Sequence, residues 1–266
     1  MSQLQYIDIG VNLTHRQFHD DREVVIAKAQ ECGVDTMIIT GTSVRSSESA
    51  VALAKRYPGV LYATAGVHPH DAKTCDERTL PALRRLAAAP EVIALGECGL
   101  DYDRDFSPRP QQRQWFEAQL SLAEELGLPL FLHERAASQD FTSMLREHPQ
   151  LCERAVVHCF TGSASEMEAY LQLGCFIGIT GWVCDERRGT ELRTIVSRIP
   201  LSKLMIETDA PFLLPRNMAS RPQNNRNEPS FLPHIAKDIA HCRGEDVAAM
   251  CEAVYANTRS FFSLPQ

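Results

Sequence analysis

The sequence predicts an α/β protein built as a single-domain (β/α)8 TIM barrel. Eight short, apolar, β-rich runs recur along the 266 residues, and helical stretches fill most of the gaps between them. The turn after the first run, Gly10-Val11-Asn12-Leu13, lacks the glycine-rich phosphate fingerprint that would favour an open doubly wound sheet.

In chain order the expected strands are 4–9, 34–40, 61–67, 92–96, 129–133, 155–160, 175–180 and 204–208. Each is a compact apolar run rather than a long alternating one, as parallel strands covered on both faces require. Between them, residues 20–32 place Val24, Ala27, Lys28 and Glu31 at helical spacing before Gly33. Residues 110–126 begin at Pro110 and carry Phe116, Leu120, Ala123 and Leu126 on one stripe before Gly127. Residues 163–173 open at Ser163, contain Met167, Tyr170 and Leu171, and stop at Gly174. A glycine directly after each helix is the left-handed stop that returns the chain to the next strand. After the eighth strand comes a Pro/Asn/Arg-rich loop over 210–228, then two helices near 229–241 and 244–262 that should pack on the barrel. No linker or internal repeat beyond the βα unit interrupts 1–266, so one catalytic domain is expected.

Net charge is −7, which gives no global footprint for nucleic acid or an anionic membrane, although a local patch would not register in that sum. No apolar run approaches the roughly 18 residues of a membrane helix, so no membrane partner is expected. Nine cysteines, an odd number without a CxxC pair, and no basic-then-apolar start make disulfides and secretion unexpected. The expectation is a cytoplasmic chain, read as a monomer.

Chemistry in a barrel sits at the C-terminal strand ends. There the sequence places Asp8 and Asn12, His68 and His70, Glu97 and Asp101, His133 to Arg135, His158 and Cys159, and Glu207 and Asp209. One histidine at a strand end is an ordinary packing residue, and one carboxylate an ordinary salt-bridge partner. Recurrence at equivalent ends changes this, because the side chains then share one space. Glu97, His133, His158 and Asp209 form a mixed N/O metal set, and hydrolysis is the natural reaction of such a site. His68 follows its strand directly and is preferred over His70. His15, His19, His148 and His241 read as surface or packing residues. A Cys–His hydrolase using Cys98, Cys159 or Cys184 is the secondary chemical reading, since free cysteine is commonly a small buried hydrophobe.

Four segments carry a resemblance: Gly66-Val67-His68-Pro69-His70, Gly96-Glu97-Cys98-Gly99-Leu100-Asp101, Val157-His158-Cys159-Phe160-Thr161-Gly162, and Glu207-Thr208-Asp209-Ala210-Pro211. In order and spacing they resemble the signature segments of the TatD family of metal-dependent deoxyribonucleases. The stretch Ile177 to Gly189 resembles the branch that gave the family its name more than its wider relatives, and Arg226-Asn227-Glu228-Pro229 matches too.

The resemblance implies a metal-dependent hydrolase barrel acting as a 3′-5′ exonuclease on single-stranded DNA or RNA ends, with a role in DNA repair after oxidative damage. It implies metal ligation by Glu97, His133 and His158. Asp209 matches the strand-eight aspartate, ligand or base, and His68 the histidine at the scissile phosphate. The implied ion is Mg2+. The imidazole-rich donor set keeps Zn2+ or Mn2+ as alternatives. The departure is at strand one, where Gly10 and Asn12 stand in place of the family's two histidines, so one of two metal positions should be weak or empty.

Local cations for phosphate are expected in the 210–228 loop, where Arg216, Arg221 and Arg226 outnumber Glu228, with Arg135 and Arg187-Arg188 nearby. Tyr102, Phe106, Trp182 and Phe212 are candidates to stack bases, Trp182 first. Two other classes remain open at this point: a deacylase of D-aminoacyl-tRNA, and a binding protein with a remnant metal site.

Overall fold

Parallel strands with two apolar faces need cover on both sides, and the chain supplies it by closing the strands into a ring wrapped in helices. The computed structural model describes residues 4–265. Its strands are β1 Tyr6–Val11, β2 Val34–Ile39, β3 Leu61–Ala65, β4 Val92–Asp101, β5 Leu130–Arg135, β6 Ala155–Val157, β7 Phe176–Ile179 and β8 Leu204–Ile206. They pair in parallel, each with the next, in the order β1 to β8. The α-helices are α1 Arg22–Glu31, α2 Val44–Ala54, α3 Thr79–Ala87, α4 Arg109–Leu126, α5 Ser138–Arg146, α6 Pro149–Cys152, α7 Ala164–Leu173, α8 Thr190–Ile195, α9 Leu232–Arg243 and α10 Val247–Phe261.

The seam between β1 and β8 is made by two backbone bonds and one side chain. Asp209 N donates to Gly10 O at 2.8 Å and Asn12 N to Ala210 O at 2.7 Å. Between them the fully buried Asp8 carboxylate accepts from Thr208 N at 2.9 Å and from the Thr208 hydroxyl. Asp8 therefore ties the barrel shut.

Two apolar compartments result. The larger lies between strands and helices. The smaller fills the barrel with Ile7, Ile9, Ile38, Phe131, Val156 and Met205, joined by Phe262 from the end of α10. Alternation along a strand then decides what lies above that plug. His133 follows Phe131 by two residues, His158 follows Val156, and Glu207 follows Met205, so the same inward face becomes polar one layer higher.

The strands fall where the sequence predicts, with informative differences at their ends. β6 and β8 stop early because the backbone turns at Cys159 and Asp209, both with positive φ, 46° and 54°. Such conformations are uncommon outside glycine and gather at functional sites. β4 continues to Asp101 and pairs with the whole of β5. On α1 the buried residues are Val25, Ile26 and Ala29, whereas Val24 is 66% exposed; the stripe through Val24 is the wrong face. Gly127 and Gly174 end α4 and α7 in the left-handed region, as expected. The expected helix at 229–241 begins with a 3-10 turn over Pro229–Phe231 before α9.

His148 is a packing residue with a charge role. Its ring lies between Glu124 and Glu117, each 2.8 Å from a ring nitrogen. Burial would lower its pKa, but the two carboxylates outweigh burial and raise it above 6.5. Its stabilisation is complete below that unfolded value and is lost as pH rises through the raised folded pKa. His148→Gln should cost about 1 kcal/mol in denaturant titrations near pH 6, and progressively less at higher pH.

Candidate metal centre and active site

Glu97 reaches the barrel mouth through an irregularity in β4. Gly96 pairs with Phe131 and Cys98 with Leu132, so Glu97 is the extra residue of a bulge. Gly96 has φ 136°, and a Cβ there would lie 2.1 Å from Phe131 O, so this turn needs glycine. The freed Glu97 amide donates across to Gly41 O at 2.7 Å. The carboxylate points into a cavity of about 730 Å³ at the C-terminal strand ends.

Three imidazoles meet there on one oxygen. Glu97 Oε1 lies 2.8 Å from His158 Nε2, 3.0 Å from His133 Nδ1 and 3.2 Å from His68 Nε2. Burial alone would raise the Glu97 pKa, but His158, His68 and His133 outweigh it and hold the carboxyl well below its ordinary value. The histidines respond according to their other partners. Burial pushes His68 down to about 4, with Glu97 opposing only part of the effect. His158 is raised despite burial, because carboxylates from Glu97 and Glu207 flank it. His133 is raised despite burial by Asp101 and Glu97.

One carboxylate oxygen presents about two lone pairs, so three imidazole nitrogens are an excess of donors. The buried His133 Nε2 has no hydrogen-bond partner, and Asp101 Oδ2 stands off at 3.4 Å. His68, Glu97 and His133 each offer a ligand atom, all within 4.8 Å of one another. His158 Nε2, 2.8 Å from the same Glu97 oxygen, is a further ligand atom, and the cluster fits a divalent cation held by Glu97 with two of the three imidazoles. Asp209 lines the same cavity, and Asn12 Nδ2 donates to its Oδ1 at 3.0 Å.

Every residue expected in the site, His68, Glu97, His133, His158 and Asp209, therefore lines one cavity. Three further residues belong there. Glu207, fully buried, receives His158 Nδ1 at 3.2 Å and the Cys159 amide. Asp101, placed by the sequence at a strand end but left out of the expected metal set, is the last residue of β4 and holds His70 Nε2 at 2.7 Å. His70 itself, passed over in favour of His68, also faces the cavity.

A signal for Glu207 was present in the glycines of the neighbouring strands. A Cβ on Gly10 in β1 would lie 2.1 Å from Glu207 Oε2, and one on Gly178 in β7 would lie 2.8 Å from Oε1. Glycine inside a strand marks close approach of another group, and here that group is a carboxylate. The Gly10 position is thus filled by Glu207, and the Asn12 position by an amide that orients Asp209.

Other expectations need correction. Arg226 is not available to phosphate: it is buried, pairing with Asp21 at 2.6 Å and with Glu228 at 2.9 Å, because it pins the 210–228 loop to the start of α1. Arg216 pairs with Asp185 at 3.0 Å and Arg135 with Asp103 at 3.1 Å. Trp182 does line the cavity, with the Arg188 guanidinium 4.5 Å from its ring centre. Burial pushes the thiols of Cys98, Cys159 and Cys184 up, which removes the thiolate a cysteine hydrolase needs.

The profile of the family described as TatD related DNase matches residues 7–263. The chain belongs to the TatD DNase family. A TatD protein of Erwinia tasmaniensis, named 3′-5′ ssDNA/RNA exonuclease, is 51% identical over 257 residues, 97% of this chain and 99% of the relative. A protein of the same name from Shigella flexneri is 50% identical, covering 97% of this chain and 98% of the relative. The crystal structure of a TatD homologue from Escherichia coli K12 superposes with a TM-score of 0.91 at 28% identity, covering 99% of this chain and all of that one. A TatD family hydrolase from Entamoeba histolytica gives 0.88 at 28% identity, over 98% of this chain and 99% of that one. TatD family membership makes the barrel expectation firm, and no helix among the described residues is long and apolar enough to cross a membrane.

Within this TatD frame, Gly10→Ala should push Glu207 away from His158. The expected result is a loss of about 1–3 kcal/mol in stability, seen by denaturant titration, and at least about a ten-fold fall in turnover of single-stranded DNA. Pairing it with Glu207→Asp, one methylene shorter, should recover part of the stability.

Proposed function

We propose that the chain, as one catalytic domain over 1–266, is a metal-dependent 3′-5′ exonuclease of single-stranded DNA or RNA. Glu97, His133, His158 and Asp209 would hold one divalent cation. The observation that carries this reading is the meeting of three imidazoles on Glu97 Oε1 at the base of the cavity. Relatives half identical over nearly the whole chain bear the exonuclease name. Mg2+ is the ion proposed from the family, with Mn2+ or Zn2+ favoured by the nitrogen-rich donors. A cation in this position supplies Lewis-acid polarisation of a phosphodiester and a more acidic water.

The chain's own groups do the rest. His158 keeps a proton on Nδ1, facing Glu207, which leaves Nε2 for the cation; a carboxylate behind a ligating histidine fixes its tautomer and orientation. His68 Nδ1 accepts from His70 N at 3.1 Å, so its proton is on Nε2, aimed into the cavity. With its pKa near 4, His68 is a neutral donor at physiological pH, suited to a non-bridging oxygen of the scissile phosphate. Burial pushes the Asp209 carboxyl up to about 7, and Asn12 fixes one of its oxygens. In its role as base, Asp209 is suited to take the proton of the attacking water near neutral pH. A role in repair of oxidatively damaged DNA, a cytoplasmic location and a monomeric state complete the reading.

Glu97→Ala should cut degradation of a 5′-labelled single strand by at least about 100-fold while the protein keeps its circular dichroism. Calorimetric titration of the metal-stripped protein with Mn2+ should fit one tight site per chain. Two equally tight sites would overturn the single-cation reading, and full activity in excess chelator would overturn metal dependence.

A further inference from the structure

Phe106 and Phe212 are, with Val24, the exposed large hydrophobic side chains among the described residues, at 53% and 47%. Both line the cavity that holds Glu97. Phe106 comes from the turn after β4, and Phe212 follows β8. In an eight-stranded ring paired in sequence order, β4 and β8 are four strands apart in either direction, so the two rings stand on opposite walls of the mouth.

Neither ring is a loose surface residue. Phe106 packs edge-on against His70, with ring centres 4.7 Å apart. Lys73 Nζ donates to Phe106 O at 2.8 Å, and the Ser107 hydroxyl donates to His70 O at 2.7 Å. Asp101 Oδ1 accepts from Asp103 N at 3.1 Å and Arg104 N at 2.9 Å, while its Oδ2 holds His70. On the other wall, Phe212 N donates to Asp209 O at 3.0 Å, and the ring meets His15 edge-on at 5.4 Å. Keeping two phenyl rings wet on fixed backbones costs hydrophobic free energy that a folded chain would otherwise recover by burying them.

The same turn carries an unspent cation. Arg135, Arg188 and Arg109 pair with Asp103, Asp185 and Asp105. Arg104 also lines the cavity, and among the described residues its guanidinium has no ion-pair partner.

We propose that the turn over 101–107 reads the single strand: Arg104 takes a backbone phosphate, Phe106 stacks on one base, and Phe212 stacks on a neighbouring base from the opposite wall. This rests on the exonuclease reading and deepens it. Bases stack on aromatic rings whatever their identity, so the arrangement is sequence-tolerant. Two opposed rings need two unpaired base faces, so it also selects single strands over duplex. Asp101 is a positioning residue in this scheme, joining the arm to His70.

The test compares Arg104→Gln, Phe106→Ala, Phe106→Trp and Phe212→Ala on a 5′-labelled oligothymidylate and on methyl p-nitrophenyl phosphate, which has no base. Phe106→Ala and Phe212→Ala should each raise the oligonucleotide KM about ten-fold or more, and that loss should exceed the loss on the small ester by a similar factor. Phe106→Trp should stay near wild type. An abasic nucleotide near the 3′ end should remove the difference between wild type and one of the alanine variants. Arg104→Gln should flatten the slope of log kcat/KM against log salt by about 0.7, the share of one single-strand phosphate. Oligonucleotide KM values within about two-fold of wild type in all three truncations would overturn the arm and leave the exonuclease reading standing. Wild-type protein that hydrolyses the small ester but neither binds nor shortens the oligonucleotide would overturn both.

Discussion

A carboxylate removed from water must be compensated locally, and Glu97 is compensated by three imidazoles on a single oxygen. The neighbouring structure follows from that demand. Glu97 can reach the axis of the barrel only because β4 carries one extra residue opposite β5. Of its histidine partners, His133 is on β5, His158 directly follows β6, and His68 caps the 3-10 turn that follows β3. Glu207 stands behind His158 and orients it, and Asp101 does the same for His70 beside the cluster. The result is a set of donors already held by hydrogen bonds, which suits a preorganised hydrolytic site.

The same economy of space explains the departure at strand one. Glycine at position 10 could be read as the loss of a ligand. In the folded chain it is an accommodation, because Glu207 needs the volume that a side chain on Gly10 or Gly178 would occupy. Asn12 likewise has a use, in holding Asp209. Asp8, the strand-one residue shared with the wider family pattern, serves the β1–β8 seam through Thr208. Strand one therefore contributes closure and room in this chain, while the cavity carboxylates come from β4 and from the residues after β8.

Sequence by itself determined the architecture and the main polar residues that meet at the barrel mouth. Eight apolar runs separated by helices admit few solutions other than a closed barrel, and polar residues at the ends of such runs must converge. His68, Glu97, His133, His158 and Asp209 were legible for that reason. Local patterns were less reliable where one residue decides a face: the α1 stripe through Val24 pointed to solvent, since neighbouring turns and not periodicity alone choose the buried side.

Only the tertiary structure decided which charges are free and which are spent. Arg226 looked like a phosphate cation in a basic loop, yet its partner Asp21 lies 205 residues earlier. Asp101 was legible as a strand-end carboxylate, yet its partner, a histidine from the neighbouring turn, was not. Trp182 carries the Arg188 guanidinium against its ring, while Phe106 and Phe212 are exposed. The reason is physical: strand register and apolar periodicity are local and repeat along the chain, so a sequence displays them. Charge pairing and side-chain exposure depend on contacts between distant segments, which exist only once the barrel has closed.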